Sequence, residues 1–230
     1  MSQIAIITGM QLEAICIASM SSIVGADSRP LIKCSGPGPD SVSVACNDLE
    51  NENITGIVSF GIAGGMDPKL RSGSVLLPKA VVTADGAFFP TDDIWLRSVA
   101  DNWPVVRKQT RQLGINKLIK SPNEKAQLFQ TTGAHALDME SHVIGAYAQK
   151  RGIPFLVLRS IADSAEDTVP EIALSGIDKN GKAAPFSLLK TLIKSPRYLT
   201  KVAKLAYASN VAIRALKNMP VRSIHALCKE

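Results

Sequence analysis

Through the first 163 residues, short apolar runs alternate with longer stretches in which apolar residues recur at helical spacing. Residues 4–8 (IAIIT) and 155–158 (FLVL) are nearly continuous apolar runs, which are typical of strands buried on both faces of a sheet. Residues 12–24 instead carry apolar side chains three and four positions apart, the spacing of one buried helix face. This alternation predicts an α/β domain with parallel strands.

The same criteria predict the other elements of this domain. Further strands are expected at residues 31–35, 54–60, 73–82 and 114–120, and further helices at 40–52, 92–103 and 123–130. Residues 135–163 predict a strand, a helix and a second strand, because Arg151-Gly152 is a helix end and Pro154 prevents continuation. We expect the domain to span residues 1–183.

The composition is that of one globular domain. A chain of 230 residues, 46% of them hydrophobic and 20% charged, is long enough to bury a full core. It contains no apolar run of about eighteen residues that would predict a transmembrane helix, and its start lacks the basic segment of a secretory signal. The four cysteines are scattered without a Cys-x-x-Cys pair, which favours free thiols in a reducing cytoplasm and disfavours a metal site.

Positive charge is concentrated at the C-terminal end. Residues 179–230 hold 11 Lys and Arg and one acid, a net charge of +10, whereas the whole chain carries +6. Residues 184–230 predict a basic amphipathic helical segment, with two helices within 186–217. Such helices either pack on the sheet or lie on an anionic membrane, and the sequence favours neither. Few aromatic residues accompany the charge, which argues against nucleic-acid binding.

Acidic residues lie at several of the predicted strand ends. Asp138 and Glu140 fall where a strand passes into a helix, Asp163 follows the next strand, and Glu13 opens the first helix. Each acid taken singly is more typical of a helix cap or a helix-dipole partner, worth about 0.5–2 kcal/mol. Because ligands bind at the carboxyl edge of parallel strands, these acids are nevertheless candidates for a shared site.

Two glycine-rich segments also follow predicted strands. Residues 61–65 (GIAGG) do not match the dinucleotide-binding fingerprint, but they allow a ligand to approach the backbone closely. Residues 36–42 (GPGPDSV) are either an anion-binding turn or a plain tight turn. We favour the plain turn, because Pro37 and Pro39 lack amide hydrogens.

Four segments together resemble the nucleoside phosphorylase and nucleosidase superfamily. They are GMQLE at 9–13, SFGIAGGMDPKLRSGSVLLP at 59–78, DMES at 138–141 and LRSIAD at 158–163. The likeness covers most of residues 3–165. It implies a single three-layer α/β domain with a mixed, mostly parallel central sheet flanked by helices. It also implies an enzyme that cleaves the N-glycosidic bond of a purine nucleoside, and a homo-oligomer of at least two chains.

The resemblance assigns roles to individual residues. Asp163 would protonate the departing purine, Glu140 would hold the ribose hydroxyls, and Glu13 would activate a water molecule. The other implied substrate contacts are Met139, Ile62, Ala63, Gly64 and Ser160. For Arg159, we favour a structural ion pair over a role in tuning Asp163.

The nucleophile is either water or phosphate. Phosphate needs cationic or amide donors. The first 28 residues contain no Lys or Arg, whereas related bacterial phosphorylases carry an arginine after the first strand. This favours hydrolysis, although Arg71 or another basic residue leaves phosphorolysis open. No cofactor is expected beyond phosphate as a co-substrate, and no metal.

Within the superfamily, the chain is most similar to the hopanoid-associated phosphorylases. The likeness is carried by SFGIAGGMDP, TGAHALDMESHV and the tail with SPRYL. It implies release of adenine from adenosylhopane, leaving a ribosylated hopane, by a cytoplasmic enzyme held peripherally at the inner membrane through residues 186–217. Two alternatives stay open: a soluble methylthioadenosine or adenosylhomocysteine nucleosidase, and a non-catalytic protein that binds a purine or a lipid-linked nucleoside.

Overall fold

The computed structural model describes residues 3–170, 172, 176, 178, 180–184, 192 and 195–228. Its strands are β1 (Gln3–Thr8), β2 (Leu31–Cys34), β3 (Ile54–Gly65), β4 (Val75–Leu76), β5 (Ala80–Thr83), β6 (Phe88–Pro90), β7 (Arg111–Gly114), β8 (Ala136–Asp138) and β9 (Phe155–Ile161). Its α-helices are α1 (Gln11–Ser21), α2 (Pro39–Asn47), α3 (Asp93–Ala100), α4 (Pro122–Thr132), α5 (Ser141–Arg151), α6 (Leu199–Lys217) and α7 (Val221–Leu227).

Strand β3 is the centre of the sheet and is shared between its two halves. Residues 57–63 of β3 pair in parallel with β9, and β1 runs parallel to β3 as well. Gly64 and Gly65, at the end of β3, pair antiparallel with β8, from which the order continues through β7 and β5 to β6. Five of the eight strand pairings in the described residues are parallel, so the prediction of a mixed, mostly parallel sheet is confirmed.

Helices cover both faces of the sheet, because alternate strand residues point to opposite sides. Ile4 and Ile6 of β1 pack in a cluster with side chains of α1, α3, α6 and α7. Ala5 and Ile7, between and after them, pack with side chains of α2 and α5. The fold is therefore the predicted three-layer α/β arrangement.

The predicted strand–helix–strand unit at residues 135–163 is formed by β8, α5 and β9. Gly152 ends α5 in the left-handed conformation, with φ at 63°, as the Arg151-Gly152 signal predicts. Strand β9 continues beyond the predicted apolar run to Ile161. Asp163 consequently lies two residues past the carboxyl end of a fully buried strand.

Three strand predictions were wrong in their bounds. The strand predicted at 114–120 is instead β7, Arg111–Gly114. Its polar residues do not give the apolar pattern of a buried strand. Gln112 is nevertheless buried, and its side-chain amide donates a hydrogen bond to Asp138. The strand predicted at 73–82 is divided into β4 and β5, with Pro78 between them. Residues 61–65, expected as a loop after the strand, belong to β3.

The C-terminal helices contribute to the same core as the sheet. Leu216 of α6 and Leu227 of α7 are fully buried, and the Trp95 indole donates a hydrogen bond to the Ala226 carbonyl oxygen at 2.8 Å. Most of the first predicted tail helix, residues 185–191 and 193–194, lies outside the described residues. Among those that are described, no helix combines the length and the apolar character needed to cross a bilayer.

Candidate active site

A cavity of about 210 Å³ opens where β1, β3 and β9 end. Four carboxyl groups from different segments line it: Glu13, Asp138, Glu140 and Asp163. Its other lining residues are Gly9, Met10, Pro37, Ile62, Ala63, Gly64, Leu118, Ile119, Leu137, Met139, Ala162, Val169, Leu205 and Ser209. The fold thus brings acids from distant parts of the chain to one apolar-walled site.

Glu13 is held in the cavity by backbone donors. It lies in the first turn of α1, is 2% exposed, and accepts hydrogen bonds from the Ile62 amide at 2.8 Å and the Met10 amide at 2.9 Å. Gly61 makes this approach possible, because a Cβ atom there would collide with the Glu13 carboxylate and with Arg159. Burial raises the pKa of Glu13 to about 7, although Arg159 and the two amides oppose the rise. A carboxyl group with that pKa can take up a proton near neutral pH.

Glu140 is held by a turn that the sequence had suggested was only a connection. The Gly38 amide donates to Oε1 at 2.9 Å, and the Met139 amide donates to Oε2 at 3.2 Å. Gly38 adopts a φ of 91°, which favours glycine. Burial raises the pKa of Glu140, and the neighbouring Asp138 raises it further while Arg159 opposes both. Each carboxylate oxygen keeps a lone pair for a ligand.

Asp138 and Arg159 form a buried ion pair below the cavity. Arg159 Nε lies 2.9 Å from Asp138 Oδ2, and Arg159 Nη2 donates to the Ser59 hydroxyl at 2.7 Å. Asp138 also accepts bonds from Gln112 Nε2, from the Glu140 and Ser141 amides and from the Ser141 hydroxyl. Asp138 therefore caps α5 and pairs with Arg159, the structural role that the sequence favoured for both.

Asp163 pairs with a lysine that sequence reasoning missed. Lys125 Nζ lies 2.5 Å from Asp163 Oδ2, and the lysine side chain is fully buried. Burial raises the pKa of Asp163, and Lys125 opposes that rise. The signal was the helical spacing of α4, where Lys125 precedes the partly buried Leu128 and Phe129 by three and four residues and so shares their inward face.

Of the remaining residues predicted to contact the substrate, some line the cavity and one does not. Met139, Ile62, Ala63 and Gly64 line the cavity. Ser160 is not among the lining residues: it is fully buried within β9, and its hydroxyl has no hydrogen-bond partner among the described residues. Arg71, considered for phosphate, is also outside the lining and is exposed beside Glu166.

Comparison with known proteins finds similarity to enzymes of nucleoside metabolism. Residues 108–194 match the family model described as Phosphorylase superfamily. The chain is 27% identical over 183 residues to the 5'-methylthioadenosine/S-adenosylhomocysteine nucleosidase of Tolumonas auensis, covering 69% of this chain and 80% of the relative.

Solved structures share the fold. A 5'-methylthioadenosine/S-adenosylhomocysteine nucleosidase from Helicobacter pylori, determined with butyl-thio-DADMe-Immucillin-A, matches with a TM-score of 0.69 and 18% identity over 95% of this chain and 97% of that one. Futalosine hydrolase of the same organism matches with a TM-score of 0.65 and 19% identity, over 90% and 96% of the two chains.

The pKa of Glu13 predicts how stability depends on pH. Folding raises this pKa from 4.5 to about 7, so between those values the folded state binds a proton that the unfolded state has lost. The free energy of unfolding should therefore decline as pH rises through that window, by on the order of 3 kcal/mol from Glu13. In Glu13→Gln that part of the decline should disappear, as measured by chemical denaturation from pH 4.5 to pH 8.

The control is Glu166→Gln, which removes a carboxyl group that is 74% exposed. Its decline should equal that of the wild type. A Glu13→Gln variant with the wild-type decline would show that Glu13 is not held with a raised pKa.

Proposed function

We propose that the chain hydrolyses the N-glycosidic bond of a purine nucleoside, as its likeness to the phosphorylase superfamily and to a nucleosidase suggests. The observation that carries the proposal is the meeting of Glu13, Glu140 and Asp163 around one cavity. Their surroundings differ: Glu13 and Glu140 are held by backbone amides, whereas Asp163 is held by a lysine. Different surroundings suit different roles in acid–base chemistry.

Bond cleavage requires charge to be handled at two places. The purine leaves with the electron pair of the C–N bond, and we assign Asp163 as the acid that donates a proton to its N7. The sugar becomes oxocarbenium-like, and water adds to the anomeric carbon as Glu13 removes a proton from it. Glu140 accepts hydrogen bonds from the ribose hydroxyls, with the Met139 side chain against the sugar.

The charges of the cavity support water rather than phosphate as the nucleophile. Four carboxyl groups line it, and none of its described lining residues is Lys or Arg. The nearby Arg159 is already engaged by Asp138 and Ser59. A phosphate dianion would meet net negative charge without an available cationic donor.

Adenine release gives the direct test of this chemistry. Purified protein should release adenine from an adenine nucleoside at equal rates with and without inorganic phosphate. Asp163→Asn should lower kcat by about 10²–10⁴-fold, because it removes the proton donor. Glu140→Gln should abolish turnover while the protein stays folded by circular dichroism.

Asp101→Asn is the matched control, since Asp101 is exposed and pairs only with Lys108 among the described residues. It should retain wild-type turnover. A strict requirement for phosphate would contradict the hydrolytic assignment, and full activity in Asp163→Asn would remove that residue from the reaction.

We further propose that the natural substrate carries a large apolar group at the 5′ position, as adenosylhopane does. A second cavity of about 240 Å³ adjoins the first and shares four lining residues with it: Met10, Ile62, Leu205 and Ser209. Its other walls include Leu12, Val202, Ala206 and Ile213. An apolar groove continuous with the nucleoside cavity offers burial to a hydrocarbon substituent, worth about 0.8 kcal/mol per CH₂.

The second candidate is a methylthioadenosine or adenosylhomocysteine nucleosidase. The curated relative from Tolumonas auensis carries that name. A short 5′ substituent would fill only part of the groove. The two candidates therefore differ in how turnover responds to the length of the substituent.

A series of 5′-alkylthioadenosines separates these candidates. If the groove holds the substituent, kcat/KM should rise about two- to fourfold per added CH₂ until the groove is filled. Ala206→Glu places a carboxylate in the groove and should abolish the gain while leaving methylthioadenosine turnover unchanged. Adenosylhopane itself should yield free adenine in the same assay.

Ala203→Glu is the control, because Ala203 is exposed on the same helix and does not line the groove. It should preserve the dependence on chain length. A response that is flat beyond the methyl group would favour the methylthioadenosine nucleosidase.

We also propose that the enzyme is cytoplasmic and peripheral at the inner membrane, with α6 toward anionic lipid. Leu12 at the groove wall and Leu199 at the start of α6 are each 58% exposed. Lys201, two residues after Leu199, is also exposed. Apolar side chains beside basic ones suit the surface of an anionic bilayer. A membrane-facing groove would admit a lipid-linked nucleoside directly.

Vesicle flotation tests this orientation. The wild type should float with vesicles that contain phosphatidylglycerol and remain below with pure phosphatidylcholine. Arg197→Glu/Lys201→Glu should lose binding, whereas Lys69→Glu/Lys150→Glu, with the same charge change elsewhere, should retain it. Equal binding by the two double variants would show that α6 does not carry the contact. Substitution is preferable to truncation, because Leu216 and Leu227 belong to the core.

A further inference from the structure

Lys125 is a charged side chain that is fully buried. It lies in the first turn of α4, and no part of its side chain is exposed. Removing an ammonium group from water costs several kcal/mol unless partners compensate. The partners of Lys125 therefore indicate what the buried charge is for.

The ammonium group has three acceptors, all in the segment that follows β9. They are Asp163 Oδ2 at 2.5 Å, the Ser164 carbonyl oxygen at 2.7 Å and the Asp167 carbonyl oxygen at 3.3 Å. A lysine ammonium carries three hydrogens, so each one has a bond. Such a fork fixes the Asp163 side chain and its backbone segment relative to each other.

A second set of hydrogen bonds holds residues 164–167 on the solvent side. The Asp167 carboxylate accepts bonds from the Ser164 amide at 2.8 Å, from its hydroxyl at 2.7 Å and from Lys204 of α6. Lys204 is exposed and does not bond to Asp163, whereas Lys125 does. The inner lysine is thus in direct contact with the candidate acid.

We propose that Lys125 is the positioning residue of the general acid: it binds Oδ2 of Asp163 and so directs Oδ1 to N7 of the departing purine. This role rests on the proposed function, since it presupposes that Asp163 is the proton donor. It assigns to Lys125 a contribution to the rate of purine departure rather than to the stability of the fold alone.

Lys125 affects the pKa of Asp163 as well as the position of its side chain. Burial raises the pKa of Asp163 and Lys125 opposes the rise, so removal of the lysine charge weakens that opposition and moves the pKa upward. The other ionisable groups around Asp163 are Asp167 and Glu166 in its own segment, Lys201 and Lys204 from α6, and Glu13, Asp138 and Glu140 across the cavity. Substitution of Lys125 leaves all of these in place.

Two substrates with different leaving groups test the proposal. Adenine departs only with protonation, whereas 4-nitrophenolate departs from 4-nitrophenyl ribofuranoside without it. Lys125→Met should lower kcat for the adenine nucleoside about 10- to 100-fold, with a much smaller effect on the nitrophenyl riboside. In the kcat–pH profile, the ionisation that is missing from Asp163→Asn should move to higher pH in Lys125→Met.

Lys117→Met is the matched control, because Lys117 is 68% exposed and pairs with Glu124 of α4, the helix that also carries Lys125. It should leave both substrates and the pH profile unchanged. Lys125→Gln keeps a hydrogen-bond donor without the charge, so it tests the same point if the methionine variant does not fold. Thermal unfolding reports the folded fraction of each variant.

Equal losses of kcat on both substrates, or an unchanged kcat–pH profile, would overturn the proposed role. Lys125 would then serve only to hold the segment after β9 in place. That outcome is distinct from failure of the proposed function. The proposed function fails if the wild type releases no base, or if Asp163→Asn remains fully active.

Discussion

The buried ion pair between Asp138 and Arg159 is the constraint on which the site depends. Asp138 receives five donors and Arg159 bridges it to Ser59, so both charges are satisfied below the cavity. Breaking such a pair by removing one partner typically costs about 3–5 kcal/mol, because the other charge stays buried alone. The pair also joins the start of α5 to β9, and with it the segments that carry Glu140 and Asp163. The geometry of the proposed chemistry is therefore anchored by groups that do not take part in it.

Because Arg159 is engaged by Asp138 and Ser59, burial is the main influence on the pKa values of the acids in the cavity. Burial raises the pKa of Glu13, Glu140 and Asp163 alike, but what opposes the rise differs. Backbone amides and Arg159 act on the two glutamates, whereas Lys125 acts on Asp163. One physical cause, modified by different neighbours, thus gives acids of the same chemical type separate environments.

The sequence predicted what depends on local pattern and missed what depends on packing. Apolar periodicity and the Gly152 stop predicted the β8–α5–β9 unit. The sequence motifs pointed to Glu13, Glu140 and Asp163, and these three residues line one cavity. Strand β7 was misplaced because its buried Gln112 is polar, a choice explained only by its bond to Asp138. Lys125 was overlooked because its partner lies 38 residues away, and the amide of Gly38 because its acceptor lies 102 residues away. The helical spacing of α4 could show that Lys125 faces inward, but it could not show which distant residue Lys125 would meet.

Helix α6 carries two tasks on opposite sides. Ala208, Ala212 and Leu216 recur every four residues on the side buried in the protein, whereas Val202, Ala206 and Asn210 recur every four residues on the side that walls the apolar groove. The two rows are about half a helical turn apart. Residues in the groove row can therefore change without altering the buried row, so the shape of the groove can diverge while the fold is kept.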